Sequence, residues 1–169
     1  MKFIHLIVIL IGAVIASFTL PGEDKEVKQN KPINFVGWKT SSLEMYFAIK
    51  KYCQKYDIPE DIAFSFAWHE TRYGGPNHKE YNHKLISHAG ALGPMQIMPV
   101  AGRNFCPGKY SDSLLLHDVN YNIATSMKLI RYLKDRFGSW ELAAGAYNTG
   151  RPIVNDYARG VSRGYYVWL

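Results

Sequence analysis

Cysteine is scarce in this chain, with two in 169 residues, and that excludes a disulfide-built scaffold. The two do not complete a zinc site either. The histidines lack ligand spacing, and His69-Glu70, which begins like a metalloprotease helix, meets Tyr73 where that helix needs a second histidine. No serine stands in a G-x-S-x-G elbow, and neither Cys53 nor Cys106 has a nucleophile's local context. No glycine-rich segment follows a strand and opens a helix, so a phosphate loop is excluded too. Strand signals are few. Lys and Arg outnumber Asp and Glu by 20 to 14, giving a net charge of +6 and an isoelectric point of about 9.2. The cations are nevertheless dispersed and interleaved with acids, which leaves no basic helix face for a nucleic acid.

What is present is an ordinary globular composition, 47% hydrophobic and 20% charged, in a chain long enough to bury a core without a metal. Residues 1–20 stand apart. Lys2 precedes an apolar run to Leu20 that carries no formal charge, with small residues at Ala13, Ala16 and Ser17. This pattern is expected of an export signal cut near Val14-Ile15-Ala16, or of an uncleaved anchor, since the run is just long enough to span a bilayer. No cysteine follows the run, which argues against a lipid anchor. Either way the domain is expected to work outside the cytoplasm, where Cys53 and Cys106 would pair or remain buried thiols. Residues 21–40, rich in charge, proline and glycine, are expected to form a tether, and 41–169 the functional domain.

From Ser41 onward the spacing predicts helices. Ser41 and Glu44 have capping-box spacing, followed by Leu43, Phe47, Ile49 and Cys53. Asp57 and Glu60 repeat that spacing, with Pro59 in the first turn of a helix expected to stop at Gly74-Gly75. Residues 74–94 read as a loop or short hairpin. Asp118 should cap a long helix through Ile123, Met127, Ile130, Leu133 and Phe137, ended by Gly138. Ser139 should cap another through Ala146, and Pro152 should open a last one. The fold is therefore expected to be mainly α, with at most a short hairpin in the middle loop.

Glu70 is the most informative carboxylate. It continues the apolar stripe of Ile62 and Phe66 and lies in the last turn of its helix, where unpaired carbonyls oppose a negative charge. Burial and the helix dipole would both raise its pKa, which is what a general acid at neutral pH requires. The commoner fate of such a residue is to turn to water. Aromatic residues make up 14% of the chain, and Tyr73, Tyr81, Tyr147, Tyr157, Tyr165 and Tyr166 fall outside obvious core stretches. Rings with a polar tip suit stacking on sugar faces, although core filling accounts for most tyrosines.

Three segments, taken in order, resemble a known family. Trp68-His69-Glu70-Thr71, then Gly90-Ala91-Leu92-Gly93-Pro94-Met95-Gln96-Ile97-Met98-Pro99, then Ala146-Tyr147-Asn148-Thr149-Gly150 are similar to the three motifs of the soluble-type lytic transglycosylases. Asp118 to Leu133, with Asn122 inside, resembles the family's connecting helix. The resemblance spans roughly residues 43–169 and implies a lysozyme-like, mainly helical domain that cleaves peptidoglycan glycan strands without metal or cofactor. It implies that Glu70 is the single catalytic acid/base. Ser87, Met95, Gln96, Tyr147 and Asn148 would contact substrate, and Tyr166, or its neighbour Tyr165, would hydrogen-bond the Glu70 carboxyl. Two departures stand out: the histidine-rich stretch between Glu70 and Ser87 is longer than usual, and Pro94 replaces a leucine. Of the remaining acids only Glu80, in that stretch, is a candidate second carboxylate. The alternatives are a hydrolytic lysozyme of the goose type and a catalytically silent wall-binding module. No nucleic-acid partner is implied, and a membrane is involved only through residues 3–20.

Overall fold

The computed structural model describes residues 36–74 and 81–164. The signal or anchor, most of the tether, Glu80, Tyr165 and Tyr166 lie outside the described residues. Among the described residues seven helices follow in order: α1 (Thr40–Lys55), α2 (Glu60–Thr71), α3 (Pro99–Phe105), α4 (Asp112–His117), α5 (Val119–Phe137), α6 (Trp140–Thr149) and α7 (Asp156–Ser162). None of these is long and apolar enough to cross a membrane.

Helix α5 is the axis of the fold and packs on α1, α3, α4 and α6. Its ends are set by local chemistry. The Asp118 side chain accepts the Tyr121 N–H at 2.9 Å, and Gly138, at φ +81°, takes the left-handed conformation that ends the helix. Ile123, Met127 and Ile130 on its inner face are fully buried, as are Met45 and Ile49 of α1 and Phe64 and Phe66 of α2. Burying each such side chain is worth about 1.5–3 kcal/mol. The Ser139 hydroxyl caps α6 by accepting the Leu142 N–H at 3.1 Å. That helix runs three residues beyond Ala146 to Thr149, before Gly150 at φ +75°.

Elsewhere the local signals mislead. Helix α1 begins at Thr40 with Lys39 at its N-cap and no side-chain cap, so Ser41 lies inside the helix. Phe47 is 55% exposed and does not belong to the core stripe. Asp57 does not cap α2. It sits at φ +51° in the preceding turn, and its carboxylate meets Arg131 of α5 at 3.0 Å. Helix α2 stops at Arg72, a non-glycine in the left-handed region at φ +58°, short of Gly74. The last helix starts at Asp156, where the Asn155 side chain accepts the Ala158 N–H, and Pro152 lies in the extended segment before it. Helices α3 and α4 were not expected; their short apolar faces pack on α5, which alone gives them a period to satisfy.

The middle segment contains two isolated antiparallel bridges, Ile86 with Leu92 and Leu92 with Ile97, in place of a sheet. Asn122, fully buried on α5, ties this segment down. Its amide donates to the Leu92 and Leu115 carbonyls at 2.9 and 2.8 Å, and its oxygen accepts the Met95 N–H at 3.0 Å. Gly93, at φ +74°, lies so close that a Cβ there would stand 2.3 Å from the Leu115 carbonyl and 2.5 Å from the Asn122 amide nitrogen. Both cysteines are free thiols: Cys53 is buried in α1, and Cys106 is partly exposed after α3.

Candidate active site

Glu70 lies in the last turn of α2, beside the glycine segment. The neighbouring Thr71 hydroxyl donates to the Pro94 carbonyl at 2.8 Å, and this fastens the helix end to that segment. The Glu70 carboxyl accepts a hydrogen bond from the Tyr157 hydroxyl of α7. Burial is the dominant influence on it and raises its pKa from 4.5 to about 7, while the Tyr157 bond opposes the rise. No other carboxylate among the described residues contributes to the shift. The group therefore keeps its proton near neutrality while its residue remains partly exposed.

Tyrosines shape its surroundings. Phe66, one turn before Glu70, lies edge-on to Tyr147 at 5.0 Å and to Tyr157 at 6.3 Å. Both hydroxyls are driven well above the usual tyrosine pKa, first by burial and then by the nearby Glu70. Tyr147 donates to the Met95 carbonyl at 2.6 Å, which links α6 to the glycine segment. Small residues allow α7 to approach. His69 Nδ1 donates to the Ser65 carbonyl at 2.8 Å, and its ring lies edge-on to Tyr157 at 5.4 Å. A Cβ at Gly160 would stand 2.4 Å from His69 Nε2, so only glycine permits this contact between α2 and α7.

The residues singled out from sequence take different places around this core. Tyr147 lies within electrostatic reach of Glu70. Met95 was expected to line the cleft; its side chain is wholly buried, and its backbone is gripped by Asn122 and Tyr147. The Gln96 side chain is also committed to structure: its amide donates to the Leu85 and Gly93 carbonyls at 3.0 and 2.8 Å, from a backbone at φ +49°. The Ser87 hydroxyl accepts the Ala91 N–H at 3.0 Å and closes the turn that leads into the glycine segment. Asn148 is exposed, and its side-chain oxygen accepts from the Asn155 amide at 3.1 Å, joining the end of α6 to the cap of α7.

Tyr166 lies outside the described residues. The described tyrosine that reaches Glu70 is Tyr157, 87 positions away in sequence. In the sequence its only signal is its place among the tyrosines outside obvious core stretches.

A mainly helical domain with one desolvated, tyrosine-held glutamic acid at a helix end has the lysozyme-like architecture. Within that class, the sequence matches the Transglycosylase SLT domain over residues 47–164, and the chain belongs to that family. Among solved structures it is similar to the 70-kDa soluble lytic transglycosylase in complex with bulgecin A, with 28% identity, a TM-score of 0.54, and coverage of 69% of this chain and 18% of that one. It is also similar to the 70-kDa soluble lytic transglycosylase of Escherichia coli, with 27% identity, a TM-score of 0.54, and coverage of 70% and 19%. An inactive mutant of the lytic transglycosylase Slt of Pseudomonas aeruginosa shares the fold at 18% identity and a TM-score of 0.50, with coverage of 70% and 22%. The match thus spans only about a fifth of the length of each of these proteins.

Proposed function

We propose that this chain is a peptidoglycan lytic transglycosylase in which Glu70 serves as the single acid and base. The observation that carries the reading is a carboxyl whose pKa lies near 7 through burial, held by Tyr157, with no second described carboxylate acting on it. Most glycosidases that use water carry two carboxylates flanking the bond, whereas one group suffices when the substrate supplies the nucleophile.

Glu70 donates its proton to the oxygen linking N-acetylmuramic acid to N-acetylglucosamine, and the bond from that oxygen to the muramoyl C1 breaks. The carboxylate left behind is stabilised by the Tyr157 hydroxyl, which already points at it. The same carboxylate then takes the proton from the muramoyl C6 hydroxyl as O6 bonds to C1. The products are a 1,6-anhydro end and a free N-acetylglucosamine hydroxyl; Glu70 is protonated again, and no water or cofactor is consumed. An intramolecular nucleophile of this kind can remove about 7–11 kcal/mol of barrier. Ser87, Met95, Gln96, Tyr147 and Asn148 would build the substrate cleft, the middle three chiefly by fixing its backbone. In this reading residues 1–20 direct export, or hold the domain at the membrane if uncleaved, so that it faces the wall.

Mass spectrometry of digested sacculi tests the proposal. Muropeptides one water lighter than hydrolytic products, absent when Glu70→Gln is used, are the expected result. Products with free reducing ends would make the protein a lysozyme instead, and binding without any product would make it a wall-binding module.

A further inference from the structure

A groove of about 570 Å³ runs between α3, the C-terminal half of α5 and the end of α6. It shares Tyr147 with the Glu70 site, and its other walls include Val100, Tyr132, Arg136 and Phe137. Val100 is 64% exposed and Tyr132 42%, an unusual gathering of uncovered apolar surface with a cation in it. Arg136 is exposed, and its guanidinium lies over the Tyr132 and Phe137 rings at 5.9 and 5.6 Å. One of its N–H groups donates to the Tyr132 hydroxyl at 2.6 Å. Among the described residues it pairs with no carboxylate, unlike Arg131, one turn earlier, and Arg159. The rings and that hydrogen bond hold the planar fork in place while leaving donors unused, which is a preorganised receptor for a carboxylate.

A glycan strand cleaved at Glu70 extends beyond the scissile bond, and Tyr147, which lies within electrostatic reach of Glu70, is also a wall of this groove. Sugar rings would lie along the exposed apolar surface at Val100. We infer that Arg136, oriented by Tyr132, is a specificity-determining residue that binds a carboxylate pendant from a muramoyl sugar in this groove, so that the protein selects acidic wall glycan over neutral glycan of the same backbone. The inference rests on the proposed reading of Glu70. Two sources carry that chemistry: the free lactyl carboxylate of peptide-free strands, and the carboxylates of an attached peptide.

The test compares Arg136→Gln and Arg136→Lys with the unaltered protein on three substrates. These are peptide-bearing sacculi, peptide-free strands, and peptide-free strands whose lactyl groups have been amidated. A solvent-accessible charge-assisted contact predicts that Arg136→Gln lowers kcat/KM about three- to tenfold on substrates bearing the carboxylate, chiefly through KM, and leaves amidated strands unchanged. Arg136→Lys should recover part of the loss. A loss on peptide-free strands assigns the lactyl group, and a loss confined to sacculi assigns the peptide. Equal losses on charged and amidated strands, or no loss on any, would overturn the inference. The same comparison is made by cosedimentation, in the Glu70→Gln background that cannot cleave. If the unaltered protein releases no product, the catalytic reading fails on its own, and the charge dependence of binding still decides the role of Arg136.

Discussion

Replacing Glu70 by Gln should make the protein more stable at neutral and alkaline pH while abolishing cleavage. In the unfolded chain the carboxyl ionises near its ordinary 4.5; in the fold burial holds it at about 7. Below about pH 4.5 both states are protonated and the glutamate carries no penalty. Between 4.5 and 7 the unfolded chain releases its proton while the folded one keeps it, so stability falls as pH rises, and above 7 the full cost is present. At about 1.4 kcal/mol per pH unit the ceiling on that cost is about 3.5 kcal/mol, and residual solvent access brings the expected value to about 2–3. Glutamine mimics the protonated carboxyl, can still accept from Tyr157, and never ionises. Urea denaturation of both proteins at about pH 4 and about pH 8.5 should therefore show equal stabilities at the lower value and a gain of roughly 2–3 kcal/mol for the variant at the higher. In melting temperature that is on the order of 10 °C for a domain of this size. A stability difference independent of pH, or a variant less stable than the parent at both values, would refute the reasoning that the Glu70 site is desolvated.

Three further outcomes follow from the same geometry. Tyr157→Phe removes the bond that opposes the rise in the Glu70 pKa, so the alkaline limb of the activity profile should move to higher pH. In the same variant kcat should fall by about ten- to a hundredfold, because the carboxylate formed after proton donation loses its partner; an unmoved limb would show that the bond does not act on Glu70. Asn122→Leu strands the Leu115 carbonyl and the Met95 N–H and leaves the Leu92 carbonyl with its Ile97 N–H partner alone. It should cost about 3–5 kcal/mol in equilibrium unfolding. Gly93→Ala sets a Cβ against the Leu115 carbonyl at a positive φ and should cost at least about 2–3 kcal/mol, with activity lost before the fold because the glycine segment moves first.

Much of this protein is legible along the chain, and the legible parts share a cause. Asp118, Ser139 and Gly138 act on backbone groups within four residues of themselves, so the limits they set for α5 and the start of α6 could be read directly. The stripe of Ile62 and Phe66 pointed inward and carried Glu70 with it. Where distant parts decide, the reading failed. Asp57 had the spacing of a cap, but Arg131, 74 positions away, offered its carboxylate a partner. Helix α2 stops at Arg72 because Tyr73 must turn into the core, where it is 1% exposed and donates to the Ser42 carbonyl. Helices α3 and α4 exist because α5 gives them a surface.

The sequence by itself determined a helical domain, the ends of its central helix, and the one carboxylate placed on an apolar stripe at a helix terminus. These follow from hydrogen-bonding groups and periodicities that act over one or two turns. Only the tertiary structure decided that Tyr157 holds that carboxylate, that the Met95 backbone and the Gln96 side chain are tied into the glycine segment, and that Arg136 lines a groove sharing Tyr147 with the surroundings of Glu70. Desolvation, which moves Glu70 to about 7, sums over everything packed around a group, so it is fixed only once helices distant in sequence have closed on one another.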